Sequence, residues 1–260
     1  MRNGFTLVEL SIVLVILGLL TGGILAGQNL IRAAELRAVT SEFTSYQTAI
    51  MAFKEKYLAL PGDLKNATNF WGAADSDPAT CRTTASTGTE PCNGDGNGQV
   101  LAAGTTGNEM FRFWQHLANA GLVSGSFNGI AGSLDVDDAE IDINSPSSKS
   151  GNGGWQTSYI GGVSGSTIYY DGSYGHIMGV GADTDASLLG LLAGPTFKPE
   201  EAWSIDSKVD DGKPATGQVF NWLSTNTATP GCTTTDDADT AEYALTSSDI
   251  LCAIAFRNAY

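Results

Sequence analysis

Basic residues are scarce in this chain. Only 13 Lys and Arg stand against 28 Asp and Glu among 260 residues, for a formal net charge of -15. Phosphate contacts need clustered Lys and Arg, so the balance argues against nucleic-acid binding. Histidine is nearly absent, with only His116 and His176. That excludes a His-rich metal site and leaves few candidates for His-based catalysis. Proline is also sparse, 8 residues against 32 Gly, unlike a generic disordered tail. There is no Gly-rich phosphate loop, no Walker motif and no HExxH. The four cysteines include no Cys-x-x-Cys pair, so a four-cysteine zinc site has no support in spacing.

The charge is unevenly placed. Residues 1–57 hold five bases and four acids, whereas the remainder holds 8 bases and 24 acids. A near-neutral first part and a strongly acidic second part imply two physical environments.

What is present begins at the N-terminus. Residues 5–26 read FTLVELSIVLVILGLLTGGILA. As a helix this run is about 33 Å long, enough to span a bilayer core. Arg2 lies just before it, which places the N-terminus in the cytoplasm and the rest outside. A secretory signal peptide fits poorly, because cleavage after Ala26 would put Ile24 at the -3 position. Glu9 is the misfit in the apolar run. A carboxylate in hydrocarbon costs on the order of 2–3 kcal/mol, so it needs a partner or a function.

The segment MRNG-FTLVELSIVLVILGLL resembles the N-terminal signal of type IV pilins and type II secretion pseudopilins. The matching features are a short basic leader ending in Gly4, then Phe5, then Glu9, then unbroken apolar sequence. The resemblance implies cleavage between Gly4 and Phe5 by an inner-membrane prepilin peptidase, with N-methylation of Phe5. It also gives Glu9 a role: the new α-amino group of a neighbouring subunit neutralises this carboxylate during assembly, making a costly charge a register device. The implied partners are prepilin peptidase, other pilin or pseudopilin subunits and the inner-membrane assembly platform.

Residues 28–57 continue without Gly or Pro. Leu36, Val39, Phe43, Tyr46, Ile50, Phe53 and Tyr57 recur at alternating spacings of 3 and 4, one apolar stripe on a helix. A coiled coil is the competing explanation. The aromatic content suits packing onto a sheet of the same chain better. Gly22 and Gly23 weaken helix propensity near the membrane exit. Leu60-Pro61-Gly62 is the expected end of the helix. The expected organisation is a leader over 1–4, a transmembrane helix over 5–27, an amphipathic helix over 28–57 and a periplasmic head over 58–260.

LPGDLKNATNFWG, CNGDGNG, EMFRFWQHLANAGLVSG and IDSKVDDGKPATG are similar to segments of large bacterial pilin-like proteins. Within the head, residues 109–120 read as an amphipathic helix capped by Asn108. Residues 124–154, rich in Gly, Ser and Asp, read as loop. WQTSYIGG, STIYYDG, YGHIMGVG, GQVFNWL and ILCAIAF read as strands, and PEEAWSIDSKV as a helix opened by Pro199. The expected fold is α+β, a pilin-like lollipop: a long N-terminal helix packed on an antiparallel β-sheet head with extra loops and short helices.

Cys81, Cys92, Cys232 and Cys252 lie beyond the apolar segment, where an oxidising periplasm favours disulfides. Three pairings exist; sequence proximity favours Cys81–Cys92 and Cys232–Cys252. The second resembles the C-terminal disulfide loop of many type IV pilins.

Two acidic regions are metal candidates. Asn93, Asp95, Asn97 and Gln99, with intervening Gly, resemble the first half of an EF-hand loop. Alternate oxygen ligands let a short backbone curl around calcium. Position 1 is Asn93 rather than Asp and position 12 is Gly104 rather than Glu, so a further carboxylate is needed, and Glu109 is the nearest candidate. The competing reading is an Asn/Gly turn tied by Cys92. Asp206, Asp210 and Asp211 form a second cluster, where a hydrogen-bonded turn ending a helix is the favoured reading. Asp135, Asp137, Asp138, Glu140 and Asp142 read as a solvated run. A Ser-His-Asp enzyme would need His116, explained by helix packing, or His176, which has no flanking nucleophile motif. The chain therefore reads as a non-enzymatic filament subunit, minor or specialised because the head is large. The alternative is a membrane-anchored adhesin or ligand-binding head that never polymerises.

Overall fold

The computed structural model describes residues 6–101, 109–134, 137–184, 191–222 and 231–260. Gly4, Phe5, Gly104, Asn108 and Asp135 lie outside the described residues.

Thr6 opens the first helix with a capping box. Its hydroxyl accepts the Glu9 N–H at 3.3 Å, and the Glu9 carboxylate accepts the Thr6 N–H at 2.8 Å. The donors of a helix start have no partner in the preceding turn, and this reciprocal pair satisfies two of them. Helix α1 then runs from Leu7 to Tyr57, through Gly22 and Gly23 without a break. Its first half is exposed from Leu7 to Ile31, save the half-buried Gly27. Its second half is the spine of the core. Val39, Phe43, Ile50 and Phe53 are buried there, and Leu36, Tyr46 and Tyr57 pack at the edge. The stripe thus packs within its own chain.

Helix α1 ends at Tyr57, the expected boundary, although the stop signal is not Pro61-Gly62 itself. Leu58 adopts the left-handed conformation at φ 57° and its N–H returns to the Lys54 carbonyl at 2.9 Å. That cap closes the helix before Pro61 and Gly62, which shape the following loop instead. Gly62 has φ +81°, and a Cβ there would lie 2.4 Å from the Glu109 carbonyl oxygen, so the position requires glycine.

The elements of the head are α2 (Thr68–Trp71), α3 (Pro78–Cys81), α4 (Glu109–Asn119), β1 (Gly153–Val163), β2 (Gly172–Ala182), α5 (Pro199–Val209), β3 (Val219–Asn221) and β4 (Ile254–Phe256). The strands form one antiparallel sheet in the order β1-β2-β4-β3. The arrangement is α+β and pilin-like: a long apolar helix with a four-stranded sheet and short helices. Helix and sheet meet through stacked aromatics. Phe43 lies on Phe256 at 3.9 Å, and Tyr46 meets Trp114 and Trp155 edge-on at 5.1 and 5.5 Å.

Two expected strands are corrected. STIYYDG is the connection between β1 and β2, not a strand. The Ser166 hydroxyl accepts the N–H groups of Ile168 and Tyr169, and Asp171 accepts that of Gly165, so local side chains replace ladder bonds. In ILCAIAF only Ile254–Phe256 is strand. Cys252 instead forms an isolated bridge with Phe197.

The cysteines pair as Cys81–Cys92 and Cys232–Cys252, with Cα–Cα distances of 5.8 and 5.0 Å. Each closes a loop with little regular structure of its own.

Candidate functional site

Two regions carry the chemistry that the sequence points to. The first is the N-terminal half of α1. An 18-residue window of this helix has a mean hydropathy of 2.4, and none of it is buried in the head. It is long and apolar enough to cross a membrane. The only carboxylate on the exposed stretch from Leu7 to Ile31 is Glu9, held in the capping box by both the amide and the hydroxyl of Thr6.

Among the described residues, the first side chain of α1 to bond the head is Arg32. Its guanidinium meets Glu201 of α5 at 2.6 Å and Glu35 at 3.0 Å, and donates to the carbonyls of Ser150 and Thr196. One side chain therefore ties the long helix to three separate parts of the head.

The second region lies at the far end of α1. Asp63, Asp95 and Glu109 bring carboxylate oxygens within 4.8 Å of one another. Three different segments supply them: the loop after α1, the Asn/Gly loop and the start of α4. Asp63 accepts the N–H groups of Asn97 and Gly98, each at 3.0 Å. Glu109 accepts those of Asp95 at 3.0 Å and Leu101 at 3.3 Å. The loop is tied to itself by Asp95 accepting the Asn97 N–H and Asn97 accepting the Gln99 N–H. The Asn93 side chain accepts the Thr68 N–H at 2.9 Å, at the start of α2. Asp63 and Glu109 are buried. Burial pushes the Glu109 carboxyl up to about 7 against the pull of its two N–H donors, and Asp95 and Asp63 push the same way. Asp63 is also raised, chiefly by burial. An all-oxygen, anionic set of this kind suits a hard divalent cation such as calcium. Asp63, Asp95 and Glu109 would hold it, and the ion would replace the proton that burial otherwise favours. Of these three clustered carboxylates the sequence pointed to Asp95 and Glu109 and not to Asp63. Its one signal was an acid directly after the Pro61-Gly62 turn.

The second acidic cluster is a turn. Asp206 is fully buried and accepts the Tyr243 hydroxyl at 2.8 Å and the Gly212 N–H at 3.0 Å. Asp210 accepts the Gln218 N–H, and Asp211 accepts the N–H of Lys213 and the hydroxyl of Thr216. Burial, first of all, raises Asp206 to about 7. The three oxygens also lie within 4.8 Å, but each carboxylate already closes the chain after α5.

Both histidines serve backbone groups. The His116 Nδ1 accepts the Gly62 N–H at 2.9 Å, and the His176 Nε2 accepts the Val100 N–H at 3.2 Å. Burial lowers them to about 3 and about 4, helped by Arg112 and Lys54 respectively, so both rings are neutral acceptors at neutral pH.

A helix of 51 residues, largely exposed and apolar over its first half and packed on an antiparallel head over its second, is a pilin-like arrangement. Residues 1–25 match the family described as the prokaryotic N-terminal methylation motif, which gives the chain a type IV pilin-like N-terminus. No curated protein and no solved structure matches the chain.

Proposed function

We propose that the chain is a specialised structural subunit of a type II secretion pseudopilus or type IV pilus-like filament. Prepilin peptidase cuts between Gly4 and Phe5 and Phe5 is methylated. The N-terminus starts in the cytoplasm, α1 crosses the inner membrane once, and the head is periplasmic, where the two disulfides are stable. The observation that carries the reading is the continuity of the methylation motif with a helix whose residues from Leu7 to Ile31, save Gly27, are exposed and which shows no bond to the head before Arg32 among the described residues. The stretch from Leu7 to Ile31, at 1.5 Å rise per residue, makes about 37 Å of largely apolar helix. Such a surface needs lipid first and other helices later. Assembly into a filament through the inner-membrane platform supplies both. Glu9 sets register by meeting the α-amino group of a neighbouring subunit once the leader is gone.

The test substitutes Glu9→Ala in the full chain. The expected result is normal membrane insertion and processing with loss of incorporation into sheared filaments. Unchanged incorporation overturns the register role. An absence of filaments from the unsubstituted chain, with the head displayed on the membrane, favours the anchored adhesin. Calcium at Asp63, Asp95 and Glu109 is part of the proposal for the head: a chelator is expected to lower its melting temperature and added calcium to restore it.

A further inference from the structure

The distal end of the head bears a groove of about 930 Å³ lined by Lys54, Tyr57, Leu58, Leu60, Asp63 and Lys65, among others. Leu58 is unusual on two counts. It sits at φ 57°, where a residue with a Cβ is strained and Gly is the ordinary choice. Its side chain is also 90% exposed. A large apolar side chain held out to water by a strained backbone is an observation that asks for a partner. The rim of the groove departs from the rest of the head in charge. Lys54 and Lys65 line the groove and Lys56 lies beside it on α1; all three are exposed, as is Glu55 between Lys54 and Lys56, and none of the lysines makes an ion pair with a described residue. Of the acids nearby, Asp63 and Glu109 are buried and occupied by backbone N–H groups, Asp95 is half-buried and Glu55 is exposed.

The opposite end of the head carries the complement. The Cys232–Cys252 loop exposes Leu245 at 51% and Ile250 at 55%, flanked by exposed Glu242 and Asp249. The Ala244 N–H binds the Cys232 carbonyl at 2.9 Å, so both apolar residues flank the same disulfide. Ile250 lines a cavity with Arg32, at the neck. Arg32 and Tyr57 are separated by about 37 Å along α1. An apolar, basic groove at one end and an apolar, acidic loop at the other cannot meet within one head.

We propose that the groove around Leu58 receives the Glu242–Ile250 segment of a second copy of this chain. The contact is heterologous, so it repeats as an open stack rather than closing into a dimer. Leu58 and the apolar pair exclude water, while the lysines and the flanking acids fix orientation. It rests on the filament reading and adds that at least two copies of this chain are adjacent in the filament.

The test uses the full chain assembled in cells. Leu58→Cys and Ile250→Cys are introduced together and singly, and sheared filaments are run without reductant. Both positions are exposed, so folding is retained. The expected result is a ladder of multimers from the double variant and none from either single variant. Lys54→Glu with Lys65→Glu is expected to give about tenfold fewer filaments, with Glu242→Lys and Asp249→Lys restoring them. Normal filaments without a ladder, and with no effect of charge reversal, overturn this interface and leave the filament reading intact. A ladder from a single variant also overturns it. No filaments from the unsubstituted chain overturn both.

Discussion

Glu109 offers the most direct measurement of the distal acid cluster. Its carboxyl is raised from 4.5 to about 7, with burial as the first cause. A group whose folded value is raised stabilises the fold below its unfolded value, and that contribution is lost as pH rises through the folded value. The window therefore runs from about pH 4.5 to pH 7. The wild-type profile alone will not isolate it. His116 and His176 are lowered to about 3 and about 4, so they cost stability as pH falls below 6.5, against the carboxyls. Asp206, raised to about 7, adds to Glu109 in the same direction. The difference between wild type and Glu109→Gln cancels the shared groups. From pH 5 to pH 8 in chelator, wild type should lose about 3 kcal/mol relative to the variant, from two pH units at about 1.4 kcal/mol each. Urea unfolding of the detergent-solubilised chain, followed by the fluorescence of buried Trp114, Trp155 and Trp222, reads it out. Saturating calcium should reverse the trend at pH 8, because the ion stabilises the ionised carboxylate and the variant has lost that ligand. A difference that stays constant within about 0.5 kcal/mol across the range refutes the reasoning, since that is smaller than half a pH unit of linkage.

Phe43→Ala should destabilise the head by about 3–5 kcal/mol, because it removes a buried ring stacked on Phe256 at the helix–sheet contact; urea midpoints measure it. Arg32→Ala should cost about 1–2 kcal/mol, discounted for its partial exposure, and should raise amide exchange around Ser150 and Thr196 while leaving Val39 to Phe53 protected. Replacing Cys232 and Cys252 by Ser should cost about 2–4 kcal/mol, and the pair Cys81 and Cys92 about the same. Only the second change should also weaken calcium binding by isothermal titration, because that disulfide ends one residue before the Asn93–Gln99 loop.

Local pattern was enough for the parts of the fold that hydrophobic spacing controls. The stripe from Leu36 to Tyr57 placed the core face of α1, and Pro199 marked the first residue of α5. Pattern failed where long-range packing competes with local bonding. Ile168, Tyr169 and Tyr170 have strand composition, yet they pack as a turn: Tyr169 leans on Tyr174 and Trp222, and the Tyr170 hydroxyl meets Thr233. Aromatic and β-branched residues report burial first and strand second. Cys252 left the expected strand because the chain there is committed to Phe197 and Cys232. Asp63 was missed for a related reason, since nothing near it in sequence announces the two carboxylates it meets.

Helix α4 shows most sharply what an amphipathic pattern leaves open. Its apolar residues Phe111, Trp114 and Leu117 are buried, as the pattern implies, but so are Glu109, Arg112 and His116. Those three stand at i, i+3 and i+7, one face of the helix. Each holds a different loop. Glu109 accepts from Asp95 and Leu101, Arg112 donates to the carbonyls of Cys81 and Thr84, and His116 accepts from Gly62. The segment from Gly62 to Leu101 contains only two four-residue helices, so it has few ladder bonds of its own. Its buried backbone groups must find partners, and the polar face of α4 supplies them. The arrangement has a cost that identifies it as structural design rather than a solvated face. Arg112 is buried without a carboxylate partner among its hydrogen bonds, and burial lowers it to about 10. A guanidinium that only needed solubility would lie in water. Here it fixes the carbonyl of Cys81, one end of a disulfide whose other end leads into the loop that Glu109 grips. The acid cluster and the stapled loop are therefore one construction on a single helix face, which is why loosening the disulfide should be felt at Asp95.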